Sequence, residues 1–286
     1  MLPAAHDIEY FLEVATQKNI SRAAERLGIS QPSLSVSIKR LENSLNTPLL
    51  LRSKNGVELT KAGLALSLKA RKLVHDWNEL KAETLKSQVE LSGVYTLGSH
   101  PSVALYTLPF FLPKLLCDFP KLEIKLVHDL SRKITDDIIQ FKIDFGLVIN
   151  PVRHPDLVLT EILRDEVRAW VSPTLDLKSA NGKTLICDPE LIQTQSLQDK
   201  FAKNGITFER VVTSSNLEVI SSLCNSGAGV GILPTRVAQT KSHFKLQHHP
   251  KLPMCFEDKL YLAFRGDFQK SESSRKLSLL ITKSFK

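Results

Sequence analysis

The sequence predicts an α/β protein in three parts: a mostly helical N-terminal domain, one long helix, and a larger region of alternating strands and helices. Apolar residues recur at helical spacing through the first 45 residues. Residues 61–90 contain no proline and have glycine only near their start, which favours one uninterrupted helix. From residue 93 onwards, short strand patterns alternate with helical ones, which is typical of an α/β fold.

Three short helices are predicted at the N-terminus. The first carries Ile8 and its helically spaced apolar neighbours and ends near Asn19. We expect Ser21 to cap the second helix and Gly28 to supply the tight turn that follows it. The third helix begins at residues 30–32, where a proline is tolerated in the first turn. Its buried face has apolar residues at spacings of four, three and four: Leu34, Ile38, Leu41 and Leu45.

The opposite face of the third helix is polar. Its residues are Gln31, Ser33, Ser35, Ser37, Lys39 and Arg40. Two helices joined by a glycine-containing turn, the second one polar outside, form a helix-turn-helix, which places that second helix in the major groove of DNA. We expect base contacts from Gln31, Pro32, Ser33 and Ser35. Phosphate contacts are expected from Ser37, Lys39, Arg52 and Lys54.

A hairpin follows the three helices. Asn55-Gly56 is a strong two-residue turn signal, and apolar segments flank it on both sides. The sequence therefore predicts a two-stranded wing with Lys54 at its tip. Residues 1–60 are accordingly interpreted as a winged helix-turn-helix domain.

Positive charge is concentrated in and just after this domain. The formal net charge of the chain is +8. Residues 18–72 hold eleven basic and three acidic residues, so this window accounts for the whole net charge. Such a region is attracted to phosphate backbones through counterion release, although a solvated basic face is the alternative.

The long helix over residues 61–90 carries an apolar seam of alternating four- and three-residue spacings. Its members are Leu66, Ala70, Leu73, Trp77 and Leu80. Such a seam favours pairing with a second copy, and packing against its own chain is the alternative. A homodimer or homotetramer would read double-stranded DNA with two half-sites of dyad symmetry.

The remaining chain is predicted to alternate strands and helices. Strands are expected at residues 94–98, 123–127, 145–149, 168–171, 184–187, 210–213 and 258–264. Helices are expected at 102–119, interrupted by two prolines, and at 131–142, 216–226 and 273–284. The glycine run at 227–231 follows a helix instead of opening one, which argues against a dinucleotide-binding loop.

Together these residues resemble the LysR-type transcriptional regulators along the whole chain. The N-terminal match comprises Phe11, Val14-Ala15, Ser21, Ala23-Ala24, Leu27, Ser30-Gln31-Pro32-Ser33-Leu34-Ser35, Ile38, Leu41-Glu42, Pro48-Leu49, Arg52, Leu59-Thr60 and Ala62-Gly63. Later matches are Phe119-Pro120, the strand at 144–149 and the segment 227–234. The chain departs from the family pattern at Asn46, Leu50, Val36 and Ser37, which leaves fewer side chains for bidentate base contacts.

The resemblance implies a periplasmic-binding-protein-like effector domain of two α/β subdomains. Subdomain 1 would comprise residues 91–162 and 265–286, and subdomain 2 residues 163–264, after a linker helix at 61–90. The two crossovers between the subdomains are expected near 163–165 and 258–264. The family also implies regulation of transcription, including contact with the transcription machinery.

The effector is expected at the carboxyl ends of the strands, where ligands bind in open α/β sheets. By the resemblance these loops face a cleft between the subdomains. The candidates are Ser99, His100, Ser102, His128, Ser131, Ser215 and Asn216. Hydroxyls at helix N-termini suit an anion, so a small anionic metabolite is predicted, with the histidines adding positive charge. The alternative is that the serines only cap helices.

Other functions have less support. No Gly-x-Ser-x-Gly, P-loop or His-Glu-x-x-His motif occurs, so we expect no enzyme and no cofactor. Four scattered cysteines show no metal-binding spacing and are expected to be reduced thiols. No apolar run or secretory signal is visible, which predicts a cytoplasmic protein without membrane partners. Two alternatives stay open: a regulator that needs no ligand, and one that senses oxidation through Cys187 or Cys224.

Overall fold

A computed structural model describes residues 4–53, 56–84, 91–239 and 245–285. These residues divide into two compact units, one comprising residues 1–89 with 140–142 and the other the rest of the chain. Lys54 and residues 85–90 of the expected long helix lie outside the described residues. Within the described ranges, no helix is long and apolar enough to span a membrane.

The first unit is a winged helix-turn-helix followed by a long helix. Its elements are α1 (Ala5–Gln17), α2 (Ile20–Leu27), α3 (Gln31–Leu45), β1 (Leu50–Ser53), β2 (Gly56–Leu59) and α4 (Lys61–Thr84). β1 and β2 pair antiparallel as the predicted wing. Their common core consists of Phe11, Val14, Ala23, Ala24, Leu34, Ile38, Leu41, Leu49, Leu50 and Val57.

Caps and turns fix where these helices begin and end. Asn19, and not the predicted Ser21, caps α2, since its side chain accepts a hydrogen bond from the Arg22 backbone at 3.0 Å. Gly28 ends α2 in the left-handed conformation that the turn requires. Asn46 ends α3 in the same conformation, which explains how it can replace the glycine usual in the family.

The wing and α4 approach each other closely. Thr60 caps α4 by accepting a hydrogen bond from the Gly63 backbone at 2.9 Å. A Cβ atom at Gly63 would lie only 2.1 Å from the Leu49 carbonyl oxygen. Glycine is therefore needed at this position for the helix to pack beside the wing.

The second unit contains a mixed sheet with helices. Its strands are β3 (Gly93–Ser99), β4 (Leu122–His128), β5 (Phe145–Ile149), β6 (Leu157–Val171), β7 (Thr184–Cys187), β8 (Arg210–Thr213), β9 (Val230–Pro234), β10 (Gln247–His248) and β11 (Phe256–Arg265). Its helices are α5 (Pro101–Asp118), α6 (Ser131–Ile139), α7 (Ile192–Lys203), α8 (Leu217–Asn225), α9 (Thr235–Gln239) and α10 (Glu272–Lys283), with a 3-10 turn at Gly266–Lys270.

The sheet has two similar halves. The strand order is β4-β3-β5-β11-β6-β9-β7-β8, with β10 beside β6. In one half, β3 pairs parallel with β4 and β5, and β11 runs antiparallel to β5. In the other half, β7 pairs parallel with β8 and β9, and β6 runs antiparallel to β9. The long antiparallel pair β6–β11 joins the halves, and its register shifts between Leu260 and Tyr261.

Three predicted elements differ from the structure. α5 continues through Pro109 and Pro113, because both lie on its exposed face, where water can bond to the carbonyls that they leave free. α6 ends at Ile139 instead of residue 142, and Phe141 then adopts a positive φ of 56°. β6 begins eleven residues before the predicted strand at residue 168, because its charged first half pairs along β11.

Candidate DNA-binding face and effector cleft

The N-terminal turn of α3 presents small polar side chains. Ser30 caps the helix, and its Oγ accepts a hydrogen bond from the Ser33 backbone at 3.2 Å. Gln31 Nε2 donates to Ser35 Oγ at 3.1 Å, which holds the amide along the helix surface. Gln31, Pro32 and Ser33 are exposed and Ser35 is partly buried. These groups lie at the helix end that a helix-turn-helix directs at base edges.

Val36 adds an apolar group to this face. Its side chain is 62% exposed and lies one turn after Pro32. A short branched apolar side chain on such a helix can contact the methyl group of a thymine. From the sequence, Val36 was predicted only to depart from the family pattern. Its position among the polar residues of α3 could also have indicated a base contact.

The structure contradicts the phosphate-contact prediction for Ser37. Ser37 is only 3% exposed, and its hydroxyl donates to Asp7 Oδ1. Arg40 also binds Asp7, with Nε donating to Oδ2 at 2.7 Å. The hydrogen bond from Arg40 lowers the pKa of Asp7 although burial opposes this. Ser37 therefore joins α3 to α1 and has no free hydroxyl for DNA.

Cationic side chains are exposed on α3 and on the wing. Lys39 on α3 and Arg52 on β1 are both exposed. The predicted wing-tip residue Lys54 lies outside the described residues. Glu42 holds the wing beside α3, since its Oε1 accepts hydrogen bonds from the Leu49 and Leu50 backbones at 2.8 and 3.2 Å.

In the second unit, Ser99 and Ser102 are buried without hydrogen-bond partners. Ser99 ends β3 and is 0% exposed, and Ser102 lies in the first turn of α5 and is 2% exposed. Among the described residues, neither Oγ atom has a partner. Buried hydroxyls are normally paired, so these two groups are available to bind a ligand or an ordered water.

His100 lies between these serines and caps α5. Its Nδ1 accepts a hydrogen bond from the Ser102 backbone at 3.3 Å, which assigns the ring proton to Nε2. Burial lowers the pKa of His100, and the nearby Glu218 and Asp188 act in the opposite direction. His100 is therefore neutral near pH 7, contrary to the prediction that it adds positive charge.

The other predicted effector residues have varied surroundings. His128 is exposed, and its Nδ1 lies 3.3 Å from the Ser99 carbonyl oxygen. Ser131 Oγ accepts from the Ile149 backbone at 2.9 Å, and Asn216 caps α8 through the Val219 backbone at 2.9 Å. Ser215 is exposed. Ser131 thus joins the start of α6 to β5 instead of capping its helix, whereas Asn216 caps α8.

Two further buried polar groups, which were not predicted from the sequence, lie in the other half of the effector domain. Asp188 follows β7 and is 1% exposed, and Ser221 lies on α8 and is also buried. Neither Asp188 Oδ2 nor Ser221 Oγ has a partner within the described ranges. Asp188 stands at the carboxyl end of a predicted strand, so the rule that found Ser99 could have found it as well.

A separate cavity of about 490 Å³ lies beside β6 and β11. Its lining consists of Asn150, Pro151, Arg153, His154, Leu157, Leu159 and Tyr261. None of the predicted site residues lines it. In the described part of the chain, no group of three or more His, Cys, Asp or Glu side chains could hold a metal ion.

Two family models match this chain. The model of the "LysR substrate binding domain" matches residues 88–284, which is more than half of the chain. The model of the "Bacterial regulatory helix-turn-helix protein, lysR family" matches residues 5–64. The chain belongs to the LysR family of transcriptional regulators. It is a DNA-binding transcriptional regulator with an effector-binding domain.

Similar proteins include other LysR-family regulators. The transcriptional regulator BbuR of Bordetella bronchiseptica is 28% identical over 81% of this chain and 76% of its own length. YfeR of Shigella flexneri is 29% identical over 79% and 77%. The hydrogen peroxide-inducible genes activator of Haemophilus influenzae is 26% identical over 80% and 79%.

Solved structures share the fold over the full length of this LysR-family chain. Full-length OxyR from Pseudomonas aeruginosa superposes with a TM-score of 0.71 at 19% identity, covering 100% of this chain and 95% of that one. CbnR in complex with its target DNA superposes with a TM-score of 0.63 at 20% identity, covering 98% and 99%.

The cysteines of this LysR-family regulator do not form an evident redox pair. Cys187 and Cys224 are buried, and burial raises the thiol pKa to about 11 and about 12, respectively. Oxidant-sensing cysteines are accessible and have a low pKa, because the thiolate is the reactive form. The burial of both thiols therefore argues against the oxidation-sensing alternative.

The seam of α4 is divided between two environments. Leu66 packs against the core of the winged helix-turn-helix and Ala70 is buried beside it. Leu73, Trp77 and Leu80, further along the helix, are each at least half exposed. The first half of the seam thus packs against its own chain, and the second half is exposed.

Proposed function

We propose that this LysR-family regulator reads DNA bases with α3 and contacts the DNA phosphate backbone with its wing. Gln31, Pro32, Ser33 and Ser35 would approach base edges, while Lys39, Arg52 and Lys54 would contact phosphates. The observation that carries the proposal is the exposed polar end of α3, which the buried Asp7 side chain holds against α1. Residues 1–60 would form this DNA-binding domain.

We propose that the exposed half of the α4 seam pairs two copies of the chain. Leu73, Trp77 and Leu80 are exposed apolar residues on the second half of α4. A linker helix at 61–90 that pairs in this way would present two DNA-binding domains to two half-sites of dyad symmetry. A dimer of such dimers would give a tetramer.

We propose that a small molecule binds in the cleft between subdomain 1 (residues 91–162 and 265–286) and subdomain 2 (163–264). The supporting observation is the pair of buried hydroxyls without partners, on Ser99 and Ser102. A ligand would act through unequal affinity for two arrangements of the oligomer, without being chemically changed, and so alter contact with the transcription machinery. Such a protein would work in the cytoplasm, where the DNA is.

The DNA-binding proposal is tested by genome-wide footprinting with the purified full-length protein. We expect protected sites with two symmetric half-sites, and the Gln31→Ala variant should lose protection at particular base pairs. Glu9→Gln, an exposed change on α1, serves as the control. Uniform, sequence-independent protection by both proteins would overturn base reading by α3.

A further inference from the structure

The two halves of the effector domain meet around the N-terminal half of α5. Tyr106 of α5 packs against the core cluster that contains Leu217 of α8. The Arg236 guanidinium lies 6.0 Å from the centre of the Tyr106 ring. His100, at the start of α5, lies within electrostatic reach of Asp188 and Glu218 in the other half. The start of α5 therefore lies within electrostatic reach of the acidic groups that follow β7 and begin α8.

Each half contributes buried polar atoms that need a partner. On the β3–α5 side these are the hydroxyls of Ser99 and Ser102, which can donate a hydrogen bond to an acceptor such as a carboxylate. On the other side it is Asp188, whose Oδ1 accepts from the Glu190 backbone at 3.0 Å while Oδ2 has no partner among the described residues. A carboxylate oxygen can only accept, so Asp188 requires a donor, and a cationic donor satisfies it best.

The charges around this cleft favour a positive group on the ligand. Asp129, Asp188 and Glu218 all act on His100, and His128 acts in the opposite direction. A purely anionic ligand would bring its charge towards Asp129, Asp188 and Glu218, which costs free energy at low dielectric.

We propose that the effector is a small zwitterion of the amino-acid type. Its ammonium group would bind Asp188, and its carboxylate would bind the hydroxyls of Ser99 and Ser102. This inference rests on the proposed effector cleft and specifies its ligand. The carboxylate corresponds to the anion predicted from the sequence. The ammonium group is added because the structure leaves the Asp188 oxygen without a donor.

Three sets of probes test this inference on the full-length protein by calorimetry and thermal shift: the standard amino acids, their 2-oxo acid counterparts without the amine, and their decarboxylated amines. We expect at least one amino acid to bind, and its two truncated counterparts to bind much more weakly. Asp188→Asn should weaken binding of the amino acid about tenfold or more, because it removes the negative charge and keeps the Oδ1 acceptor. Asp199→Asn, an exposed change on α7, is the matched control and should have no effect.

A second pair of variants separates ligand binding from folding. Ser99→Ala and Ser102→Ala remove hydroxyls that have no partner, so the ligand-free protein should unfold at an unchanged or higher temperature. Both variants should nevertheless lose the stabilisation that the amino acid gives. Lower ligand-free stability with full amino-acid binding would overturn their role.

The outcomes distinguish the ligand class from the effector cleft itself. Binding of 2-oxo acids in preference to amino acids, reduced by Ser102→Ala, would overturn the zwitterion and keep the cleft. Binding by none of the three sets would overturn the zwitterion as well. The cleft would then be rejected only if no metabolite in a wider screen stabilised the protein in a way that Ser102→Ala abolishes.

Discussion

Asp165 and Asp258 lie directly opposite each other on β6 and β11, the two strands that join the halves of the effector domain. Asp258 Oδ1 accepts a hydrogen bond from Asn150 Nδ2 at 2.9 Å, and Asp165 Oδ2 accepts from the Arg236 backbone at 3.0 Å. Burial, and secondly the facing Asp165, raise the pKa of Asp258 to about 7. A pair of carboxyl groups thus occupies the connection between the halves.

This pair should make stability depend on pH. Because the folded pKa of Asp258 exceeds its ordinary value of 3.8, the folded state holds a proton that the unfolded state releases. Stability should therefore be full at low pH and decrease as the pH rises through about 7. In the wild type the free energy of unfolding should decrease by on the order of 2 kcal/mol from pH 5 to pH 8, and Asp258→Asn should abolish this decrease. Urea unfolding of the effector domain at several pH values measures this.

Asp136→Asn is the control for that experiment, since Asp136 is an exposed carboxylate on α6. It should leave the pH dependence as in the wild type. An unchanged slope in Asp258→Asn would mean that the buried pair does not hold a proton near neutral pH.

Asp7 should support DNA binding without touching DNA. Asp7→Ala would leave the Ser37 hydroxyl buried without its partner, at a cost of about 1–3 kcal/mol. It would also release Arg40 and loosen α3 against α1, so affinity for the target should fall together with the unfolding midpoint. Because the pKa of Asp7 is lowered by Arg40, its contribution should be lost as the pH falls below 3.8.

Thermal unfolding and gel-shift titration of Asp7→Ala measure these two effects. Glu9→Gln changes an exposed carboxylate two residues further along α1 and should leave both unchanged. Full stability with weakened binding would instead indicate that Asp7 acts on DNA directly.

Features set by neighbouring residues were predictable from the sequence, and those set by distant residues were not. The helix-turn-helix and the wing were predictable because Gly28, the proline in the first turn of the third helix and the Asn-Gly turn signal act on their immediate neighbours. Ser37 was assigned wrongly because its partner lies thirty residues earlier, in α1. Helical spacing marks a position as polar, but it does not show which neighbouring element will cover that position.

The effector site shows the same limit. Ser99 and Ser102 were predicted as candidates because ligands bind at the carboxyl ends of strands, and the structure adds that both hydroxyls are buried. The opposing Asp188 comes from the other half of the sheet, and its importance lies in an oxygen without a partner, which only packing reveals. The charge around His100 likewise depends on side chains from the other half, Asp188 and Glu218, which the sequence does not place beside it.

Arg52 should bind phosphate without regard to sequence. Arg52→Ala removes an exposed cation from β1 of the wing. Affinity should decrease similarly for specific and random duplexes, and the slope of log K against log salt should decrease in magnitude by about 0.9, as for one lost phosphate contact. Fluorescence anisotropy across a salt series measures both. Lys203→Ala, which removes an exposed cation from α7, is the control, and an unchanged slope in Arg52→Ala would contradict the phosphate contact.

The exposed half of the α4 seam should control assembly. Leu73→Glu places a charge in the proposed helix pair and should shift the protein to a smaller species in size-exclusion chromatography with light scattering. Leu64→Glu makes the same change at an exposed position of the same helix outside the seam and should leave the assembly unchanged. Equal effects of both variants would show that the seam has no special role.

Val36 should give the regulator a preference for thymine. Its exposed side chain on the base-reading face can pack against a thymine methyl group. A hydrogen-bonding side chain could not make this apolar contact. Replacing single thymines of the footprinted half-site by uracil removes only that methyl, and one such position should weaken wild-type binding about tenfold. In Val36→Ser the same replacement should have no effect, because the contact is already absent. Additive losses from uracil and serine would place the methyl contact on another residue.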